Sequence, residues 1–179
     1  VMHDGQKMGR MALSVTGEHN VLNALSAIAA ADILGIPFVS MQKGLKEFRG
    51  TDRRFEYKGT KNGFTIIDDY AHHPTEIRAT LTAAENYPHK EVWCIFQPHT
   101  YTRTKALFDE FVDALSTTDH VILADIYAAR ETDTLGVSAE QIAEALKKKG
   151  CDAYSLPSFE KIEEFVLERC QKGDVLITM

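Results

Sequence analysis

From residue 64 onward, short apolar runs alternate with amphipathic stretches, and this limits the possible folds more than any other feature. The apolar runs are Phe64–Ile67, Val92–Phe96, Val121–Leu123, Ala153–Leu156 and Val175–Ile177. Between them, Thr75–Asn86, Lys105–Leu115, Ser138–Lys149 and Phe159–Cys170 read as helices. Ser138 followed by Gln141 forms a capping-box signature at one helix start. The pattern predicts an α/β fold, a Rossmann-like, mostly parallel sheet flanked by helices on both faces. Ahead of it, Phe55–Tyr57 and Phe64–Ile67 are joined by Lys61-Asn62-Gly63, and Asn-Gly between apolar runs signals a β-hairpin.

Upstream of residue 55 the pattern differs. Met11–Val15 reads as a short strand and Thr16–Asn20 as a turn. Val21–Leu34 reads as a helix, with Val21, Leu22, Leu25, Ile28, Ala29 and Leu34 largely on one stripe. Gly35 stops it and Pro37 follows. Ser40–Glu47 suits a second, short helix, and residues 48–54 are polar and turn-like. A boundary near residues 46–52 divides a first part, 1–48, from a second, 49–179.

Of the 179 residues, 44% are hydrophobic and 26% charged, as in a soluble globular protein. A formal net charge of −6 gives no global reason to bind nucleic acid or an anionic membrane. It leaves room for a local cationic pocket. Cys94, Cys151 and Cys170 form no CxxC pair and match no zinc spacing, so they read as thiols of a reducing compartment. No apolar stretch approaches the roughly 20 residues of a membrane span. The start of the chain has no secretory pattern, and a cytoplasmic location is expected. Both ends read as cut: the chain opens on Val1 and closes on the strand-like run Asp174–Met179.

In parallel α/β sheets, ligands gather at the carboxyl ends of the strands. Three polar runs occupy that position, after Ile67, Phe96 and Ala124, and should converge on one crevice. The first holds Asp68, Asp69, His72 and His73, with Pro74 setting the first helical turn and Glu76 near the helix start. Such crowding is costly unless the groups bind a ligand or each other; Asp68 and Asp69 as plain turn residues is the alternative. The second run, Gln97–Thr104, includes His99 and Arg103. An arginine there is either a fork for a carboxylate or phosphate or a solvated helix residue. The third, Asp125–Glu131, is either a loop over the same crevice or a solvated surface. Arg53-Arg54 is open in the same way, as solvated charge or as a phosphate clamp. No GxxxxGK[ST], GxGxxG, GxSxG or HExxH occurs, so the chain has no P-loop of its own.

Four runs together resemble the Mur ligase family. Gly17-Glu18-His19-Asn20-Val21-Leu22-Asn23-Ala24 is similar to the family's G-x-H-N-x-x-N-A segment near the end of its ATP-binding central domain. Gly50-Thr51-Asp52-Arg53-Arg54-Phe55-Glu56 resembles its interdomain stretch. Asp68–Glu76 resembles D-D-Y-A-H-H-P-T-E at the start of the C-terminal domain, and Phe96–Thr104 resembles F-Q-P-H-x-Y-T-R-T. The resemblance covers nearly all of this chain but about two-fifths of a full ligase. It implies that residues 1–48 are a helical remnant of the central domain. Residues 49–179 would then be the amino-acid-binding domain, cut at its C-terminus before a glycine-rich run.

The last two motifs as a pair point to the members that join L-alanine to UDP-N-acetylmuramate through an acyl phosphate, with ATP and Mg²⁺. By resemblance, His19, Asn20 and Asn23 lie near ATP's adenine, Arg54 reaches its γ-phosphate and Asp69 contacts its ribose. Tyr70, His72, His99 and Arg103 form the L-alanine site, with His72 and Arg54 in catalytic roles and Arg103 pairing the carboxylate. No metal ligand is assigned in this chain, since the magnesium ligands belong to the central domain. Position 100 is Thr where some members carry a second Arg. Two further readings remain open: another Mur-type enzyme (a murein tripeptide recycling ligase or a folylpolyglutamate synthase) or a non-catalytic nucleotide or amino-acid binding module. Without the P-loop, the piece alone is expected to be inactive.

Overall fold

A computed structural model describes residues 1–15 and 17–179, apart from the side chain of His19. The chain divides into two compact units, Val1–Asp52 and Arg53–Met179. No described helix is long and apolar enough to cross a membrane.

The first unit opens on a small antiparallel hairpin, β1 (Met2–His3) and β2 (Gln6–Lys7). Sequence reading left this hairpin unassigned, although its Asp4-Gly5 turn, with φ of 48° and 76°, is a strong hairpin signal. Helix α1 (Glu18–Ile33) and helix α2 (Phe38–Glu47) follow. Two expectations need correction. Met11–Val15 is not a strand: no neighbouring strand takes its backbone groups, and side chains tie the segment instead. Gln42 donates to the Arg10 carbonyl (2.8 Å) and Ser14 to the Lys46 carbonyl (2.7 Å). The turn expected over Thr16–Asn20 is already helical from Glu18, and Thr16 itself lies outside the described residues. Within α1, Ala24 and Ile28 are buried, whereas Val21, Leu22 and Leu25 are exposed, as is Leu34 at its C-cap.

The second unit is a six-stranded sheet in the order β3-β4-β8-β5-β6-β7. Its strands are β3 (Glu56–Lys61), β4 (Phe64–Asp68), β5 (Val92–Phe96), β6 (His120–Leu123), β7 (Asp152–Ser155) and β8 (Val175–Thr178). All pairs are parallel except β3 with β4. Those two form the predicted hairpin, turning through Asn62 (φ 52°) and Gly63 (φ 90°), a conformation that a side chain beyond Asn or Gly strains. Helices α3 (Pro74–Glu85), α4 (Tyr101–Ala106), α5 (Phe108–Leu115), α6 (Ala139–Lys148) and α7 (Phe159–Arg169) make the crossovers.

Alternation along the strands sorts the core into two layers. Ile67, Cys94, Phe96, Val121, Leu123 and Ile177 pack with Ile77 and Leu81 of α3, Phe111 of α5 and Ile142 of α6. Phe64, Trp93, Ile122 and Leu176 face the other way and pack with Ile162 and Val166 of α7. Ser138 caps α6 in the capping box that its sequence announces. Burial pushes the thiol pKa of Cys151 up to about 11 and that of Cys170 to about 12, so these two stay protonated and unreactive near neutral pH.

One helix departs from expectation in a way that builds the site. The predicted helix Lys105–Leu115 begins earlier, at Tyr101, and breaks at Leu107, whose backbone leaves the helical region (φ −113°, ψ 22°). The break lets α5 sink Phe111, Val112 and Leu115 into the core. It leaves α4 at the end of β5, carrying Arg103.

Candidate active site

Three strand-end loops meet in a pocket of about 270 Å³. The loop after β4 contributes Asp69, Tyr70, Ala71 and His72. The segment after β5 contributes Gln97, His99 and Arg103. The loop after β6 contributes Tyr127, and Arg53 and Met179 complete the lining. Of the sequence-predicted residues, Asp69, Tyr70, His72, His99 and Arg103 are therefore brought together. Arg54 is not in the wall, but its guanidinium carbon lies 5.9 Å from the Tyr70 ring centroid. Asn20 and Asn23 belong to the first unit. There they edge a mostly apolar cavity of about 470 Å³ between α1, α2 and Leu13–Val15, with Asn23 Nδ2 3.5 Å from Asn20 Oδ1. The His19 side chain lies outside the described residues.

Asp68 and Asp69 end β4 with different tasks. Asp68 Oδ1 accepts the Thr178 hydroxyl (2.8 Å), and Oδ2 lies 3.5 Å from Arg53 Nε. Asp69 is buried. Its Oδ1 accepts the Ala71 N–H (2.8 Å) and its Oδ2 the Phe55 N–H (2.7 Å), so it fastens the Arg53–Phe55 segment to the loop. That segment needs fastening, because Arg53 and Phe55 have φ of 58° and 47°, costing on the order of 1–3 kcal/mol each. The Arg53 N–H to Glu56 (2.8 Å) and the Tyr70 N–H to the Arg53 carbonyl (2.7 Å) complete the strap. Asp69→Ala strips a charged acceptor from two backbone donors. The expected loss is about 2–4 kcal/mol of unfolding free energy, measured by urea denaturation; a loss under about 1 kcal/mol would show that the strap holds without it.

His72 and His73 also part company. The His73 ring is the N-cap of α3, accepting the Thr75 N–H (3.3 Å), so it is structural. His72 Nδ1 lies 2.9 Å from the Tyr70 carbonyl oxygen and 3.3 Å from Glu76 Oε2. Both neighbours are acceptors, so Nδ1 carries the proton, and in the neutral ring Nε2 keeps its lone pair.

The segment after β5 is set by strain. Thr100 is β-branched yet has φ 64°. Its N–H donates to the Tyr127 carbonyl (2.9 Å), its carbonyl accepts from Thr104 N–H and Oγ1, and its hydroxyl accepts the Arg103 N–H (3.4 Å). Glu131 adds a clamp, with Oε1 accepting the Thr102 hydroxyl (2.5 Å) and Oε2 the Thr102 N–H (3.0 Å). Those Thr102 bonds hold the Glu131 carboxyl below its usual range, so the clamp persists at neutral pH and loosens only as acid protonates it. The half-buried guanidinium of Arg103 has no ion pair or hydrogen bond among the described residues. Asp69, the carboxylate in the pocket lining, is already engaged by the Ala71 and Phe55 N–H groups, so the Arg103 fork is left without an anionic partner among the described residues.

Sequence reading raised Arg53 with Arg54 as a possible phosphate clamp but carried only Arg54 into the site, and it gave Gln97, Tyr127 and Glu131 no role. Tyr127 and Glu131 sit in the third polar run, whose two readings differ only in where the loop folds. Buried Ile126, between exposed Asp125 and Tyr127, is the local sign that this loop turns inward.

The second unit is thus an α/β domain with a pocket at its strand ends, lined by Arg103, His72 and His99. The family model described as "Mur ligase, glutamate ligase domain" matches residues 53–179, and the chain belongs to that family. It is 56% identical over 176 residues to a UDP-N-acetylmuramate–L-alanine ligase of Lachnospira eligens, covering 98% of this chain and 38% of that protein. It is 57% identical over 178 residues to the ligase of the same name from Agathobacter rectalis, covering 99% and 39%. Among solved structures, a UDP-N-acetylmuramate–alanine ligase from Thermotoga maritima superposes with a TM-score of 0.80 at 31% identity, over 98% of this chain and 37% of that one. A murein peptide ligase from Psychrobacter arcticus does so at 0.64 and 26%, over 94% and 35%. The chain spans just under two-fifths of the length of the curated relatives it matches.

Proposed function

We propose that this chain is the amino-acid-binding part of an ATP-dependent ligase that joins L-alanine to UDP-N-acetylmuramate, a step of peptidoglycan precursor synthesis in the cytoplasm. The observation that carries the reading is Arg103, partnerless among the described residues in a pocket shared with His72 and His99. Relatives at 56–57% identity bear the L-alanine ligase name, whereas the murein peptide ligase structure is 26% identical, which favours L-alanine over a peptide as the amine substrate.

In this reading Arg103 takes the alanine carboxylate on its two-pronged fork. His99 borders it, and His72 offers Nε2 to the amine, which must shed a proton to become nucleophilic. The acid substrate arrives as an acyl phosphate formed from ATP. The amine nitrogen bonds to its carbonyl carbon, the carbon–oxygen bond to phosphate breaks, and inorganic phosphate leaves. The domain's main contribution is to hold the amine where it can attack. Arg54, strapped beside the pocket by its neighbours, supplies positive charge to the transferring phosphoryl group. Asn20 and Asn23 offer amides to the adenine base, and Asp69 has lone pairs to spare for a ribose hydroxyl. Magnesium, where the reaction uses it, is held mostly by the central domain in this reading.

The test is phosphate release by the full-length protein that contains this chain, with UDP-N-acetylmuramate, ATP and one amino acid at a time. Release should depend on L-alanine, and the 179-residue chain alone should show none. Turnover indifferent to L-alanine would overturn the assignment, and alanine-dependent ATP hydrolysis by the chain alone would overturn its dependence on the rest of the enzyme.

A further inference from the structure

We propose that Tyr127 is the specificity wall of the pocket, the surface against which the amino acid's side chain rests and which restricts it to a methyl-sized group. This deepens the reading above and rests on it.

With the carboxylate on Arg103 and the amine toward His72, the third substituent of the α-carbon needs an apolar surface. The aromatic candidates are Tyr70 and Tyr127. Tyr70 is already engaged: the Arg53 guanidinium sits 4.7 Å from its ring centroid, Arg54 lies at 5.9 Å, and the His72 ring packs edge-on at 5.3 Å. Met179 packs against the hydrophobic core. Tyr127 is left with an open face. It is 55% exposed, makes no side-chain hydrogen bond among the described residues, and touches one ring in the pocket, His99, at 5.5 Å.

The backbone beneath it is as firmly set as that of His99 itself. His99 and Tyr127 form a parallel bridge beyond the ends of β5 and β6. The Tyr127 N–H donates to the Pro98 carbonyl (2.9 Å) and the Tyr127 carbonyl accepts the Thr100 N–H (2.9 Å). Gln97 Nε2 donates to the Asp125 carbonyl (3.1 Å) and ties the two segments once more. A ring on so fixed a base resists displacement, and a larger substituent would have to move it. Thr100, whose φ is positive, donates the N–H that the Tyr127 carbonyl accepts, so the strained residue and the Tyr127 backbone share a hydrogen bond.

The experiment measures kcat/KM of the full-length ligase for L-alanine, L-valine and L-leucine, in wild type and in Tyr127→Ala, Tyr127→Leu and Tyr127→Phe. One methylene in an apolar pocket changes discrimination by about 10–200-fold. Tyr127→Ala should raise the valine-to-alanine and leucine-to-alanine ratios by about tenfold or more, acting through KM for the amino acid and leaving KM for ATP alone. Tyr127→Phe should keep the wild-type ratios. If Tyr127→Ala does not fold, Tyr127→Leu should still shift the ratios. Unchanged ratios in a variant that still ligates L-alanine overturn the wall while leaving the ligase reading intact. A wild-type enzyme that ligates no L-alanine overturns the reading and this inference with it.

Discussion

Arg103→Ala in the full-length ligase should raise KM for L-alanine by about 10²-fold, equivalent to roughly 3 kcal/mol for a lost charge-assisted pair. KM for ATP should change less than about threefold, a factor smaller than one hydrogen bond's usual worth. The effect is large because the guanidinium has nothing else to hold: no described carboxylate or carbonyl pairs with it, so its interaction energy is reserved for the ligand. Stability should barely move for the same reason. Arg103→Lys should recover only part of the loss, since a point charge cannot reproduce the two parallel bonds of the fork. Equal rises in the two KM values would place Arg103 outside the amino-acid site, and a lower unfolding midpoint would mark it as structural.

Arg54→Ala should show the opposite kinetic signature. A side chain that engages the phosphoryl group mainly in the transition state lowers kcat and kcat/KM together. Arginines in that role are worth about 10³–10⁵ in kcat. The structure frames why so much can rest on one exposed residue. Arg54 lies between two residues with positive φ, and Asp69, Glu56 and the Tyr70 backbone hold both. Its guanidinium lies over the face of Tyr70 at 5.9 Å, which presets its direction without neutralising it. Arg54→Lys should retain part of kcat. A fall of less than about tenfold in Arg54→Ala, with stability unchanged, would show that charge at this position is not used in phosphoryl transfer. Asp69→Ala connects the two experiments: releasing the strap should lower kcat through Arg54 as well as stability.

Much of the second unit was legible because its signals are local. Short apolar runs marked β4, β5, β6, β7 and β8 to within a residue or two, most clearly the interior strands β5, β6 and β8, which are buried on both faces. Asn62-Gly63 marked a turn that demands positive φ, and Ser138 with Gln141 marked a reciprocal cap. The first unit was less legible. Met11–Val15 has strand composition, but a strand exists only with a partner, and composition carries no word of partners. The apolar positions of α1 announce a helix without saying which of them are covered; Ile28 is, and Leu22 is not.

The sequence by itself determined the class of fold, the turn and cap positions, and the loops that carry ionisable groups, because periodicity, φ preference and capping act within a few residues. Tertiary structure alone decided what those groups do. It turned Asp69 into a strap on the Arg53–Phe55 segment, left Arg103 unpaired among the described residues, split a predicted helix at Leu107 and brought Tyr127 beside His99. It also stacked His120 on Trp93, centroids 3.9 Å apart, at the far end of the sheet. Each of these outcomes depends on which segment distant in the chain packs against a given donor, acceptor or ring, and local sequence does not carry that information.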